Sequence, residues 1–184
     1  MSAPRLPGLD GDGLWHAVRR TEPRARALAD RHYSRQTPGA PEFLNAGQTL
    51  VLLTDDALAL WGVLLNRDPW ARVNRGAEVW RWRCAIFRNE GPHLSSDLVR
   101  EATDRTRAYW IRHYGGVPTV GYRVGIDRVG TAPIGPAEVP LTTEVDPGKT
   151  RRKRDPGRCF LRAGWRVVDR DRAGLVVLQA PARP

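Results

Sequence analysis

The sequence predicts a single α/β (α+β) domain built on a mixed, mostly antiparallel sheet with helices on both faces. Three observations predict it. Short apolar runs of strand length alternate with two segments of helical period. The strands come as adjacent pairs around single helices, in the order β-α-β-β-β-α-β-loop-α-β-β. Two of the runs, Gln48–Thr54 and Ala57–Leu65, are almost continuously apolar, as strands covered on both faces are.

Residues 1–13 are polar and rich in Pro and Gly and are expected to be a flexible lead-in, so the folded domain spans 14–184. This lead-in lacks the apolar centre of a secretory signal, and a cytoplasmic location is the expectation. No apolar run reaches the roughly 18 residues of a membrane span, so no membrane partner is expected.

Leu14–Arg20 forms the first strand. Thr21 is placed to cap a helix with Glu22 and Pro23 in its first turn, and that helix runs through EPRARALADRHY with Ala25, Leu28, Ala29 and His32 on one face. Ser34–Gly47 is a Pro/Gly-rich loop. The pair Gln48–Thr54 and Ala57–Leu65 is a hairpin turning at Asp55-Asp56. In Glu78–Arg88 the even positions from Trp80 to Ile86 are mostly apolar and alternate with Arg81 and Arg83, which gives a strand with one polar face.

Ser95 or Ser96 is read as the cap of a long helix, about Asp97–Tyr114, stopped by Gly115-Gly116. Pro118–Ile126 reads as a strand. From Asp127 to Asp155 there is little period of either kind, apart from a short strand around Glu138–Val145, and so long an irregular stretch points to function. A short helix, Pro156–Ala163, stops at Gly164. Trp165–Asp169 and Leu175–Gln179 close the chain as a hairpin turning near Asp171–Gly174.

Net charge is +10, and 28 of the 30 basic residues are arginine. Their position is more telling than their number. Between Lys149 and Arg172 ten Lys or Arg stand against three Asp, so this stretch carries seven of the ten net charges. Within it Lys149, Arg151, Arg152, Lys153 and Arg154 form a run that suits the phosphates of DNA, although a solvated loop or the phosphates of a cofactor fit the same charges. The cysteines, Cys84 and Cys159, have no metal-ligand spacing and read as small buried residues. Trp80 and Trp82 share a strand face, as core or as a stacking platform for an unstacked base.

The element order resembles the GNAT acyltransferase fold. The loop Arg88-Asn89-Glu90-Gly91-Pro92-His93, between the fourth strand and the long helix, is similar to the loop on which GNAT enzymes hold the acetyl-CoA pyrophosphate with backbone N–H groups and a helix N-terminus. The resemblance implies cofactor contacts from Arg88, Gly91, Ser95 and Ser96. His93 stands where that family has a small residue. Cys159-Phe160-Leu161-Arg162-Ala163-Gly164-Trp165 is similar to a late GNAT pattern, and here reads as a helix C-cap feeding a strand.

A narrower resemblance rests on Arg31-His32-Tyr33-Ser34-Arg35, the Ser95-Ser96 helix start and Val145-Asp146-Pro147 with Arg151 and Pro156-Gly157. These are similar to the Mom group of phage DNA-modification proteins, a divergent branch of the GNAT fold that converts adenine in DNA to an N6-carbamoylmethyl form. That resemblance implies a phage- or prophage-encoded enzyme with DNA as partner, and His32, Tyr33 and Asp146 as reactive residues or iron ligands. The residues themselves leave other roles open. His32 suits a helix C-terminus, where a cation is favoured, and Asp146 before Pro147-Gly148 suits a turn.

Overall fold

The computed structural model describes residues 13–45, 47–68, 79–114, 120–123, 129–132, 141–150, 155–171 and 173–182. β1 (Trp15–Val18), α1 (Pro23–Asp30), β2 (Thr49–Thr54), β3 (Ala59–Asp68) and β4 (Val79–Asn89) come first. The long helix α2 (Ser95–Tyr114) follows, then β5 (Val120–Arg123), β6 (Val129–Ala132) and β7 (Leu141–Val145). The short helix α3 (Arg158–Arg162) and the strands β8 (Arg166–Arg170) and β9 (Val176–Gln179) end the described chain.

Seven strands form one sheet in the order β1-β2-β3-β4-β7-β9-β8, and β5-β6 form a separate antiparallel pair. Every neighbour in the large sheet is antiparallel except β4–β7, which is parallel. A parallel pair cannot close with a hairpin, and α2 with β5 and β6 makes the crossover.

The continuous apolar runs of β2 and β3 are explained by two cores. Leu50 and Leu52 of β2, with Ala59, Trp61 and Val63 of β3, join Leu98, Val99, Ala102 and Trp110 of α2 and Phe160 of α3 on one face. Val51, Leu53, Leu60 and Leu64 meet Ala25, Leu28 and Ala29 of α1 on the other. Helices therefore cover both faces, as the sequence implies. On the α2 side three buried indoles find partners on that helix: Trp15 Nε1 donates to the Leu98 carbonyl, Trp61 Nε1 to Thr106 Oγ1 and Trp165 Nε1 to Thr103 Oγ1. Trp82 is core, 2% exposed; the Trp80 side chain lies outside the described residues.

Three elements differ from expectation. First, α1 is shorter than EPRARALADRHY. Its cap is Glu22 rather than Thr21, and it ends at Asp30 with Arg31 as C-cap. Asp30 draws the chain back: it accepts from Arg35 Nε at 2.9 Å and from the Gly39 N–H at 3.0 Å, while Arg35 also donates to the Ala40 and Glu42 carbonyls.

Second, β4 does not keep one face. The register shifts from Gly62↔Ile86 to Val63↔Cys84, so Ala85 is an extra residue opposite β3. A bulge of this kind bends the strand and re-aims its side chains. Trp82 and Cys84 join the α2 core, whereas Ile86 turns to the α1 core and Phe87 packs back against Trp61 and Phe160.

Third, a strand appears where no period was expected: β6, the partner of β5. The short strand expected around Glu138–Val145 is β7.

The α3 C-terminus follows the sequence reading closely. Gly164 has φ +90°, its N–H bonds the Leu161 carbonyl, and the Trp165 N–H bonds the Phe160 carbonyl. This Schellman arrangement brings with it the Phe160–Trp165 contact, with ring centroids 4.9 Å apart. Among the described residues no helix is long and apolar enough to cross a membrane.

Candidate functional site

The β4–β7 pairing stops at Cys84↔Thr143, at the bulge, although β4 continues to Asn89 and β7 to Val145. Beyond that point a cleft of about 580 Å³ separates the strands. It lies at the carboxyl ends of two adjacent parallel strands, where open α/β sheets commonly place a ligand. Its walls are Ala85–Asn89 of β4, Thr143–Val145 of β7, Gly157–Phe160 at the start of α3 and His32–Ser34 just past α1.

His32 and Tyr33 reach the cleft because α1 ends early. Their rings lie 4.4 Å apart at 30°. His32 Nδ1 accepts from the Ser34 N–H at 3.2 Å and lies 2.8 Å from Ser34 Oγ. Burial, and then the nearby Arg88 guanidinium, push the imidazole down to about 4, so it is neutral at neutral pH. Tyr33 lines the cleft beside it. Burial raises its pKa above the usual value.

Asp146 follows the last residue of β7. Its carboxylate caps the turn after β7: Oδ1 accepts from the Gly148 N–H at 2.8 Å and from the Lys149 N–H at 3.3 Å, and Lys149 Nζ lies 3.9 Å from Oδ2. It does not line the cleft. His32 Nδ1 and the Asp146 carboxylate are thus aimed at protein partners rather than a common point. Among the described residues no group of three His, Cys, Asp or Glu side chains is placed to hold a metal.

The β4–α2 loop is folded by Asn89. Its Oδ1 accepts from the Gly91 N–H at 2.9 Å, and its Nδ2 donates to the His93 carbonyl at 2.7 Å and to Ser95 Oγ at 3.0 Å. Ser95 and Ser96 are the first residues of α2 rather than its cap, since the Leu98 N–H already bonds the Leu94 carbonyl. Arg88 and Ser95 border the cleft; Gly91 and Ser96 do not. Arg88 donates to Glu90 and to the Arg31 carbonyl, and Arg31 grips the Glu90 carboxylate at 2.8 and 2.7 Å. The hydrogen bonds from Arg31, then those from Arg88, hold the Glu90 carboxyl down at about 2. A loop that has committed its glycine amide and carries an ionised Glu is not an open cradle for the acetyl-CoA pyrophosphate.

Basic side chains dominate the cleft wall, with Arg83, Arg88 and Lys149 each paired with a carboxylate. Arg83, Arg88, Lys149 and Arg158 line the cleft, and the one acidic residue among its described lining, Glu144, is paired with Arg83 at 2.9 Å. Arg158 has no carboxylate partner among the described residues. Arg151, Arg152, Lys153 and Arg154 lie outside the described residues, between Thr150 on the cleft wall and Asp155 before α3. Sequence reasoning missed Ser34, Arg83, Asn89, Glu144 and Arg158. Ser34, two residues after a histidine, and Asn89, two before a glycine, carry the local side-chain-to-backbone pattern that predicts such turns. Of the cysteines, Cys84 is buried, which pushes its thiol well up, whereas Cys159 is half-buried on the cleft wall.

No protein-family model, curated protein or solved structure matches this chain.

Proposed function

We propose that this chain is a GNAT-like transferase that adds a small group to the exocyclic amine of a DNA base, adenine by its resemblance to the Mom group. The observation that carries the reading is a cleft lined by four basic side chains, Arg158 among them without a carboxylate partner among the described residues, around a neutral imidazole. Such a cleft repels an aliphatic amine, which is an ammonium ion at neutral pH. It accepts an aromatic amine, which is uncharged. An aromatic amine also needs only a weak base, because its N–H becomes acidic only as the new bond forms. A base with the low proton affinity of His32 suits that task and is a poor match for stripping an ammonium.

The reading fits the charge beside the cleft. Lys149 stands on its wall, and the run Arg151–Arg154 follows it in sequence with charges that suit the phosphates of DNA. The base would have to leave the stack to present its amine. His32 would accept the proton, and Tyr33 would form the facing wall. Asp146 would hold the turn after β7. The acetyl-CoA and iron expectations enter no step of this proposal.

The test is coexpression of the chain with a plasmid, digestion of the plasmid to nucleosides and mass spectrometry. A mass-shifted deoxyadenosine, lost in His32→Gln, is the expected result. An unmodified nucleoside profile under varied conditions, or acetyl-CoA turnover on a small amine independent of DNA, would replace the reading with a conventional N-acetyltransferase or a non-enzymatic nucleic-acid binder.

A further inference from the structure

A neutral imidazole has one in-plane lone pair. In His32 that lone pair is on Nδ1, because the Ser34 backbone N–H donates to it. Ser34 covers Nδ1 twice, with its backbone N–H at 3.2 Å and its Oγ at 2.8 Å. Ser34 itself is exposed and lines the cleft. The basic atom of His32 therefore faces a hydroxyl, and that hydroxyl faces the space a substrate would fill.

We propose that Ser34 is a catalytic residue, a hydroxyl relay through which His32 exchanges protons with whatever occupies the cleft. Its use on a DNA base rests on the function proposed above; the relay itself does not. In that reaction the amine nitrogen bonds to the electrophilic carbon of a donor that carries a leaving group. The amine proton passes to Ser34 Oγ as the Oγ proton passes to His32 Nδ1. The leaving group departs with its bonding electron pair and recovers the proton by the reverse path, which resets both side chains. Arg88, the cation facing His32 from β4, opposes a lasting imidazolium and so favours that return.

The same pair defines a test that needs no DNA. With p-nitrophenyl acetate, Ser34 Oγ attacks the ester carbonyl, its proton goes to His32 Nδ1, and p-nitrophenolate leaves. Peptide mass mapping of the full chain should find acetyl on Ser34, formed about a hundredfold more slowly in His32→Gln, the low end of general-base contributions. On plasmid DNA, Ser34→Ala should lower the rate by a similar factor with little change in apparent affinity, and Ser34→Thr, which restores a hydroxyl, should recover most of it. Ser34 left unlabelled, labelling indifferent to His32→Gln, or full DNA modification by Ser34→Ala would each overturn the relay. His32-dependent labelling of Ser34 in a chain that modifies no base would uphold the relay and remove the base-transferase reading.

Discussion

Gly157 offers a sharp test of how the cleft floor is built. It has φ +77° at the start of α3, where an alanine enters the left-handed region at about 1–2 kcal/mol. A Cβ there would also lie 2.6 Å from Leu178 Cδ1 and 3.4 Å from Val145 Cγ2. Leu178 is 0% exposed and has no open space to retreat into, so overpacking adds about 1–3 kcal/mol. The gain from a stiffer unfolded chain, about 0.4–1 kcal/mol, offsets part of this. The net prediction for Gly157→Ala is a loss of about 2–4 kcal/mol, read from urea midpoints by far-ultraviolet circular dichroism. A double-mutant cycle with Leu178→Ala separates the terms, because removing Cδ1 relieves the overlap and leaves the backbone strain. The expected coupling is about 1–3 kcal/mol. A Gly157→Ala protein within about 0.5 kcal/mol of the parent, or two additive substitutions, would refute the reasoning.

Three further outcomes follow from the site. His32 is depressed from 6.5 to about 4 on folding, so the unfolded chain binds the extra proton between those values. Its contribution is fully present above about pH 6.5 and is lost as pH falls toward 4. Urea midpoints should drop across that window in the parent and less steeply in His32→Gln, and parallel slopes would count against it. If the Asp146 carboxylate is a turn cap, Asp146→Asn keeps the Oδ1 acceptor and most DNA modification, whereas Asp146→Ala loses about 1 kcal/mol of stability; an inactive but stable Asp146→Asn would return the carboxylate to a chemical role. Each alanine replacing Lys149, Arg151, Arg152, Lys153 or Arg154 should flatten the log–log salt dependence of DNA binding by about 0.9, and unchanged slopes would place the phosphates elsewhere.

What the sequence made legible were features in which local and tertiary preferences agree. Leu50–Leu53 had to be covered on both sides, and it is, by α1 and α2. Gly164 had to end a helix, and Phe160 and Trp165 had to meet over it. The site was legible only in part. His32 and Tyr33 do face one cleft, yet the expected helix through His32-Tyr33 hid their position beyond its end. The Ser95-Ser96 cap failed because an Asn six residues earlier in the chain already organises the turn. Arg35 looked like one more charge in a polar loop. It is instead the buried guanidinium that folds the loop, its side chain 9% exposed. The Arg35 role leaves no mark in composition or period, since it depends on which backbone carbonyls the fold brings within reach.

The bulge at Ala85 explains why these pieces converge. An unbroken alternation from Trp80 would have kept Ile86 and Arg88 on the face of Trp82, toward α2. One inserted residue reverses that parity. Arg88 then meets the end of α1, where it donates to the Arg31 carbonyl and shares Glu90 with Arg31, while Phe87 drops into the aromatic cluster with Trp61 and Phe160. The same insertion coincides with the end of the β4–β7 ladder. Had β4 and β7 been joined by a hairpin, a turn would have closed that end. The parallel crossover leaves both carboxyl ends open, so the residues past the bulge line a cleft instead of a sheet. The cation that lowers His32 and the space its serine faces are thus consequences of a single irregularity in one strand.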